Sequence, residues 1–352
     1  MLMDAQTLTP PATAERLRRM LPGLALCGGL TLVGLALHSI PALASTGISP
    51  LVFALLCGIV VGNLPITSRH AAALSPGLHI ATKKLLRLGI ILFGLSITLQ
   101  QILGLGWSVV FLDVLVISAV LSSGYFIGTR WLGLDRDTAL LTSAGSAICG
   151  AAAVLATESM IKARPAATAM AVATVVLFGS LAMLVYPLLY PLSGMHEGLF
   201  GIYIGSTIHE VAQVVAAGEA VGPDALANAL IVKLMRVMML VPFLLLLPKL
   251  WAMRARTEGD DRETGGSMTI PWFALGFIAM AGINSTGAIP AAVHSSLSTL
   301  GSVALTMAMA GLGVETRIDR LRSLGMKPFL LALILFTLLI VGGFGANLLL
   351  MG

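Results

Sequence analysis

Lys233 and Arg236 pose the chemical problem of this sequence, because they stand where basic side chains are costly. They lie three residues apart, on one helical face, near the centre of an apolar run over 224–248. A charge at that depth of a membrane segment costs about 2.5–3.5 kcal/mol on insertion scales, so it normally faces a cavity or a partner. Two readings are open: counter-charges for a bound anion, or a structural ion pair with Glu210.

A duplicated motif lies just upstream. Residues 145–156 read GSAICGAAAVLA and residues 205–216 read GSTIHEVAQVVA, so both fit G-S-x-I-x-x-x-A-x-V-x-A at an offset of 60 positions. Each copy puts a helix-breaking Gly and a capping hydroxyl inside an apolar segment. A broken helix at membrane depth is tolerated only where it is packed in protein or lines a cavity. The second arm of each break would start near the midplane with free N–H groups, which favour an anion by about 0.3–1 kcal/mol. The expected substrate-binding set is therefore Ser146, Cys149 and Gly150 from the first copy, Ser206, Thr207 and Gln213 from the second, and Lys233 and Arg236.

Each of these residues has a plainer reading. Thr207-x-x-Glu210 fits a capping box, in which the hydroxyl serves its own helix. Cys149 also reads as a small buried filler. His209 and Glu210 are candidates for proton coupling, since imidazole titrates near neutrality and burial shifts both groups. His209 and Gln213, four apart, would share a helical face. Asp113, in the fourth span, is a second candidate for proton or cation traffic, and its favoured reading is a hydrogen bond to a neighbouring helix.

Composition fixes the class. Of 352 residues, 57% are hydrophobic and 11% charged, against about 25% charged in an average soluble domain. This is an all-α polytopic membrane protein. The net charge of +5 reflects Lys and Arg at segment ends rather than a nucleic-acid surface. Cys27, Cys57 and Cys149 have no ligand spacing, so no disulfide frame, metal or cofactor is expected. No phosphate loop or nucleophile elbow occurs, and an enzyme is not expected.

The segments are expected as follows: a polar leader over 1–20, then one membrane domain over 21–352 with spans near 21–44, 49–66, 85–103, 107–129, 165–190, 224–248, 270–283, 289–313 and 328–350. The run 21–44 ends in a signal-like Ala42-Leu43-Ala44 but is long enough to span, and is read as an uncleaved first span. A polar connector covers 254–267. The stretches 137–163 and 197–221 hold the broken helices. If both are re-entrant hairpins, Lys and Arg sort to one face, and the repeat units 137–191 and 197–250 have opposite orientation. About nine transmembrane helices plus two hairpins then form an inverted-repeat transporter architecture. If both stretches cross instead, Lys162 and Arg164 fall on the other face.

The runs Ser146-Ala147-Ile148-Cys149-Gly150 and Ile208–Ala216, with Lys84–Gly89 and Ile231–Val237, resemble the YeiH-type sulfate-exporter family of bacterial inner-membrane proteins. The resemblance covers nearly everything after the leader. It implies an inner-membrane secondary transporter of about ten or eleven membrane segments, with a sulfur oxyanion or sulfonate as cargo. The expected function is export of sulfate, sulfite or a small sulfonate, with proton coupling as an addition. The rivals are a cation-coupled carboxylate carrier and an anion channel. Expected partners are a small anion, the lipid bilayer and at most a second copy of the chain, with no nucleic acid.

Overall fold

A computed structural model describes residues 13–44, 49–248, 272–317 and 325–351. The connector 254–267, Trp251 and most of the leader lie outside them. Every regular element among the described residues is helical. Six helices are long and apolar enough to cross a membrane: Arg18–His38, Gly106–Trp131, Pro165–Ser193, Pro223–Pro248, Ala291–Glu315 and Met326–Met351. Pro50–Gly62 and Trp272–Ser285 are shorter apolar helices.

Some boundaries differ from the sequence expectation. The first helix runs Thr13–His38 and stops before Pro41, which cannot continue its hydrogen-bond ladder. The third segment is helical over 71–93 rather than 85–103, with a wider turn at Ile80–Leu85, and it ends in a tight turn at Gly94–Ser96. Thr98 and Gln101 then form a capping box that starts a short separate helix. Trp107, Trp131 and Trp272 are well exposed at helix ends, as amphipathic rings at a membrane interface would be.

Small residues set how closely the helices approach. Gly58 lies against the Ala310 carbonyl, Gly62 against Val314, Gly23 against Gly77, and Gly94 against Phe277. These contacts join the helices 13–38, 50–62, 71–93, 272–285 and 291–315 into one group. The remaining helices surround the two broken units and form a second group. Gly201 and Gly205 each meet a carbonyl of the helix Pro223–Pro248, at Ala225 and Ala229, so that helix packs closely enough to deliver Lys233 to the breaks.

Each broken unit folds back on itself. In the first, the arms are Arg136–Ala147 and Ala151–Ile161. The Arg164 N–H donates to Asp137 Oδ2 (3.2 Å), so the start of one arm lies beside the end of the other. In the second, the arms are Glu197–Thr207 and Val211–Val221. There Asp224 N–H donates to Glu197 Oε1 (2.7 Å) and Ala225 N–H to the same oxygen (3.2 Å). Both closures join residues 27 apart, and they are displaced by the same 60 positions as the motif. The helix Pro165–Ser193 connects the two closed ends. With 29 residues it is roughly 43 Å long at 1.5 Å per residue, so the two closed ends are separated by about that length.

Candidate functional site

The breaks meet because polar groups at each helix terminus find partners in the other unit. A helix leaves four carbonyls free at its C-terminal end and four N–H groups at its N-terminal end. Here two C-terminal ends and two N-terminal ends converge in the protein interior, where an unmade hydrogen bond costs about 1–3 kcal/mol.

Lys233 serves both C-terminal ends. Its Nζ donates to the Ile148 carbonyl (2.9 Å) and to the Ile208 carbonyl (2.7 Å), one from each break. Arg236 completes the first end, donating from Nε to the Ala147 carbonyl (2.8 Å) and from Nη2 to the same oxygen. Cations suit these positions because the C-terminal ends carry partial negative charge. Both side chains are fully buried. Their spacing follows from the helix: three residues apart, they share the face turned to the breaks.

Glu210 serves both N-terminal ends. Its carboxylate accepts the Ala151 N–H at the start of the first unit's second arm (3.1 Å). It also accepts the Gln213 N–H, while Gln213 Oε1 accepts the Glu210 N–H (3.0 Å). Gly150 makes room for this. Its φ of +70° suits glycine, and a Cβ there would sit 2.3 Å from Glu210 Cγ.

This geometry corrects several expectations. The capping box is Glu210-x-x-Gln213 rather than Thr207-x-x-Glu210, because Thr207 is the last residue of the first arm. Glu210 does not pair with Lys233 or Arg236; each charge bonds main chain instead. His209 lies in the break, so the helical face it was expected to share with Gln213 does not exist. Thr207 and Ser206 hydroxyls donate to the Tyr203 carbonyl, and Ser206 Oγ also accepts from Asn347 Nδ2 (3.1 Å). The expected hydrogen bond of Asp113 is absent, since neither carboxylate oxygen has a partner.

The other expected residues converge as the spacing implied. Ser146, Cys149 and Gly150 stand at the first break and His209 and Glu210 at the second, within one interior region bounded by Lys233 and Arg236. Several polar atoms there have no hydrogen-bond partner: Arg236 Nη1, Ser146 Oγ, Gln213 Nε2, His209 Nδ1 and Asn347 Oδ1. Asn347 was missed in the sequence, as a lone amide in a long apolar helix. So were Asp137 and Glu197, which look like ordinary N-terminal acids until their partners 27 residues away are seen.

A cavity of about 580 Å³ opens beside this region. It lies between the second arm of the first unit, the helix Pro165–Ser193 and the end of Ala291–Glu315, and its wall includes Leu155, Glu158, Val172, Val176, Ser180 and Thr316. Ser180 adjoins Gly179, against which Gln213 packs, so the cavity approaches the breaks from the closed end of the first unit.

Comparison with known proteins gives the family. Residues 22–332 match the model described as conserved hypothetical protein 698. A UPF0324 membrane protein of Yersinia pestis, YPO1307/y2878, is 48% identical over 98% of this chain and 97% of its own length. The UPF0324 inner membrane protein YeiH of Escherichia coli K12 is 47% identical over 93% of each chain. The UPF0324 membrane protein PA5383 of Pseudomonas aeruginosa is 44% identical over 93% of this chain and 94% of its own. No solved structure matches. The chain therefore belongs to the conserved hypothetical protein 698 family, together with the UPF0324 YeiH proteins, and is a multi-pass protein of the bacterial inner membrane.

Proposed function

We propose that the protein is a secondary transporter of a small anion, of the sulfate, sulfite or sulfonate kind, and has no enzymatic activity. The six long helices, with the segments 50–62, 71–93 and 272–285, make nine crossings in this reading. The two broken units are re-entrant hairpins that dip from opposite leaflets, an inverted repeat with its site where the tips meet. The closed ends at 137/164 and 197/224, joined by a helix long enough to span, support it.

One observation carries the choice of an anion. The unpartnered polar atoms at the tips include three side-chain donors, Arg236 Nη1, Ser146 Oγ and Gln213 Nε2, gathered beside two buried cations. A sulfur oxyanion offers only acceptors, so it satisfies such donors without bringing donors of its own. The helix N-termini contribute less than the sequence suggested, because Glu210 already occupies them. Movement of the hairpin group against the other helix group, along the cavity between them, would give alternating access.

The test is uptake of labelled sulfate, sulfite and methanesulfonate into proteoliposomes. Saturable uptake that is accelerated by unlabelled anion inside is the expected result. Arg236→Lys keeps a cation able to reach the Ala147 carbonyl but removes the free Nη1, and should cut uptake about tenfold, the equivalent of one charged hydrogen bond. Flux that never saturates would indicate a channel. Competition by carboxylates alone, dependent on a cation gradient, would favour the carboxylate carrier.

A further inference from the structure

Asp113 is the one ionised-type side chain near the hairpin tips that the site described above does not use. It sits on the helix Gly106–Phe126, whose buried residues Val109, Leu112 and Val116 pack against Ala147, Ile148 and Cys149 of the first tip. It is fully buried, and both carboxylate oxygens lack a hydrogen-bond partner. Val232 and Val237, the neighbours of Lys233 and Arg236 on the helix Pro223–Pro248, belong to the same buried cluster as Val109, Leu112 and Val116. The first tip brings Cys149 into this cluster, the second tip carries His209 and Glu210, and the helix Met326–Met351 carries Lys327 at its start and the neutral amide Asn347 near its end. No ion pair joins Asp113 to either base among the described residues, and Arg236 keeps Nη1 unbonded.

A buried carboxylate in this state can be relieved in two ways: by a proton, or by closing on a cation. Arg236 Nη1 is also the donor best placed for a bound anion. We propose that Asp113 is the coupling carboxylate of the carrier, competing with the substrate anion for the free edge of Arg236, so that anion binding is accompanied by uptake of one proton on Asp113. This rests on the anion-carrier reading above. Without substrate, Lys233 and Arg236 balance Glu210 and Asp113. Methanesulfonate adds one negative charge, which a proton from water, bonded to one Asp113 oxygen, offsets in full; for the doubly charged sulfate the same proton offsets half. Glu210 is poorly suited to this role, because protonation would weaken its bonds to both Ala151 and Gln213. His209 supplies no negative charge to neutralise.

The experiment measures binding and protons together on the purified full-length protein. Sulfate and methanesulfonate are titrated in weakly buffered detergent solution with a pH indicator, from mildly acidic to mildly alkaline pH. Wild type should take up about one proton per anion bound, and its affinity should fall about tenfold per pH unit once Asp113 ionises in the empty site. Asp113→Asn mimics the protonated side chain. It should bind without proton uptake, with a flat pH profile, and more tightly than wild type at alkaline pH. Anion binding to wild type with no proton uptake overturns the role of Asp113 but leaves the carrier reading intact. A wild-type pH slope in Asp113→Asn does the same. If neither anion binds wild type at any pH, both the carrier reading and this inference fall. Should Asp113→Asn not fold, the proton count on wild type decides alone.

Discussion

At the tip of the first hairpin stand Cys149 and Gly150; 60 positions later, at the tip of the second, stand His209 and Glu210. The two copies of one motif thus present opposite surfaces at equivalent places. The first meets the charged side chains with backbone: carbonyls of Ala147 and Ile148 for the cations, the Ala151 N–H for the acid, and at Gly150 an empty space. The second fills that space with the Glu210 side chain, whose Cγ lies 2.3 Å from where a Gly150 Cβ would be. Divergence at this one position lets a single carboxylate cap both inner N-termini. Had both copies kept a carboxylate there, two like charges would crowd one buried site. Lys233, outside the repeat motif, plays the corresponding part for the inner C-termini.

The largest effect should come from removing what the two tips share. Lys233→Met leaves the Ile148 and Ile208 carbonyls unbonded in the interior, and is expected to destabilise the protein by about 3 kcal/mol or more. Thermal unfolding in detergent checks this. A variant as stable as wild type would mean that Lys233 does not tie the tips together.

Next in size is the fit of Gly150 to Glu210. Gly150→Ala adds a Cβ at a positive φ and against Glu210, and should cost about 2 kcal/mol. Part of that cost is the clash and part is backbone strain, and a double-mutant cycle separates them. In a Glu210→Gly background, the penalty of Gly150→Ala should shrink to the backbone part. Full additivity of the two substitutions would show that the positions do not touch.

The same comparison shows what the sequence could and could not reveal. The motif, the 60-residue offset and the helix breaks were legible because Gly and hydroxyl residues in an apolar run contradict a plain membrane helix. Membership of one buried region by positions 145–150, 205–210, 233 and 236 followed from the repeat and from the cost of buried charge. Which partner each charge takes was not legible. Opposite charges invite an ion pair on paper, yet Lys233 and Glu210 each bond free ends of helices, because four such ends meet there and have no water to bond. Asp113 looked satisfied because buried acids usually are, and nothing local in its apolar helix signals an absent partner. The helix over 71–93 lies earlier in the chain than the expected span 85–103 and includes the basic residues Lys83, Lys84 and Arg87. The structure carries them as exposed side chains within it, with Arg87 lying 5.8 Å from the centre of the Phe273 ring.

Away from the tips, the two closed ends should be interchangeable in kind and smaller in effect. Glu197 accepts two N–H groups at the start of the helix Pro223–Pro248, and Asp137 accepts the Arg164 N–H and stands 3.6 Å from its Nε. Glu197→Ala and Asp137→Ala should each lower stability by about 1 kcal/mol, as loss of a helix cap does. With the helix Pro165–Ser193 between them, the two losses should add. A marked departure from additivity would mean that the closed ends communicate through the tips.

The smallest effect concerns a contact only the first closed end has. Asp135 caps the first arm, accepting the Thr138 N–H (3.0 Å) and hydroxyl (2.8 Å), and Arg164 Nη2 lies 2.6 Å from its Oδ1. Burial by itself would raise its carboxyl. The bonds from Thr138 and the guanidinium of Arg164 outweigh that and hold it below the ordinary carboxylate range. A group depressed in the folded state stabilises above its unfolded pKa, about 3.9 for Asp, and loses that contribution as pH falls through the folded value. Asp135→Asn is the probe, because Asn keeps the oxygen that caps the Thr138 N–H while the charge and one acceptor are lost. Its unfolding temperature should lie slightly below wild type at neutral pH. The gap should close as the solution is acidified below the ordinary carboxylate range, and it should narrow in high salt, since Arg164 is largely exposed and its attraction is screened. A gap that persists at low pH would assign the loss to the cap geometry, and the first closed end would then differ from the second in shape rather than in charge.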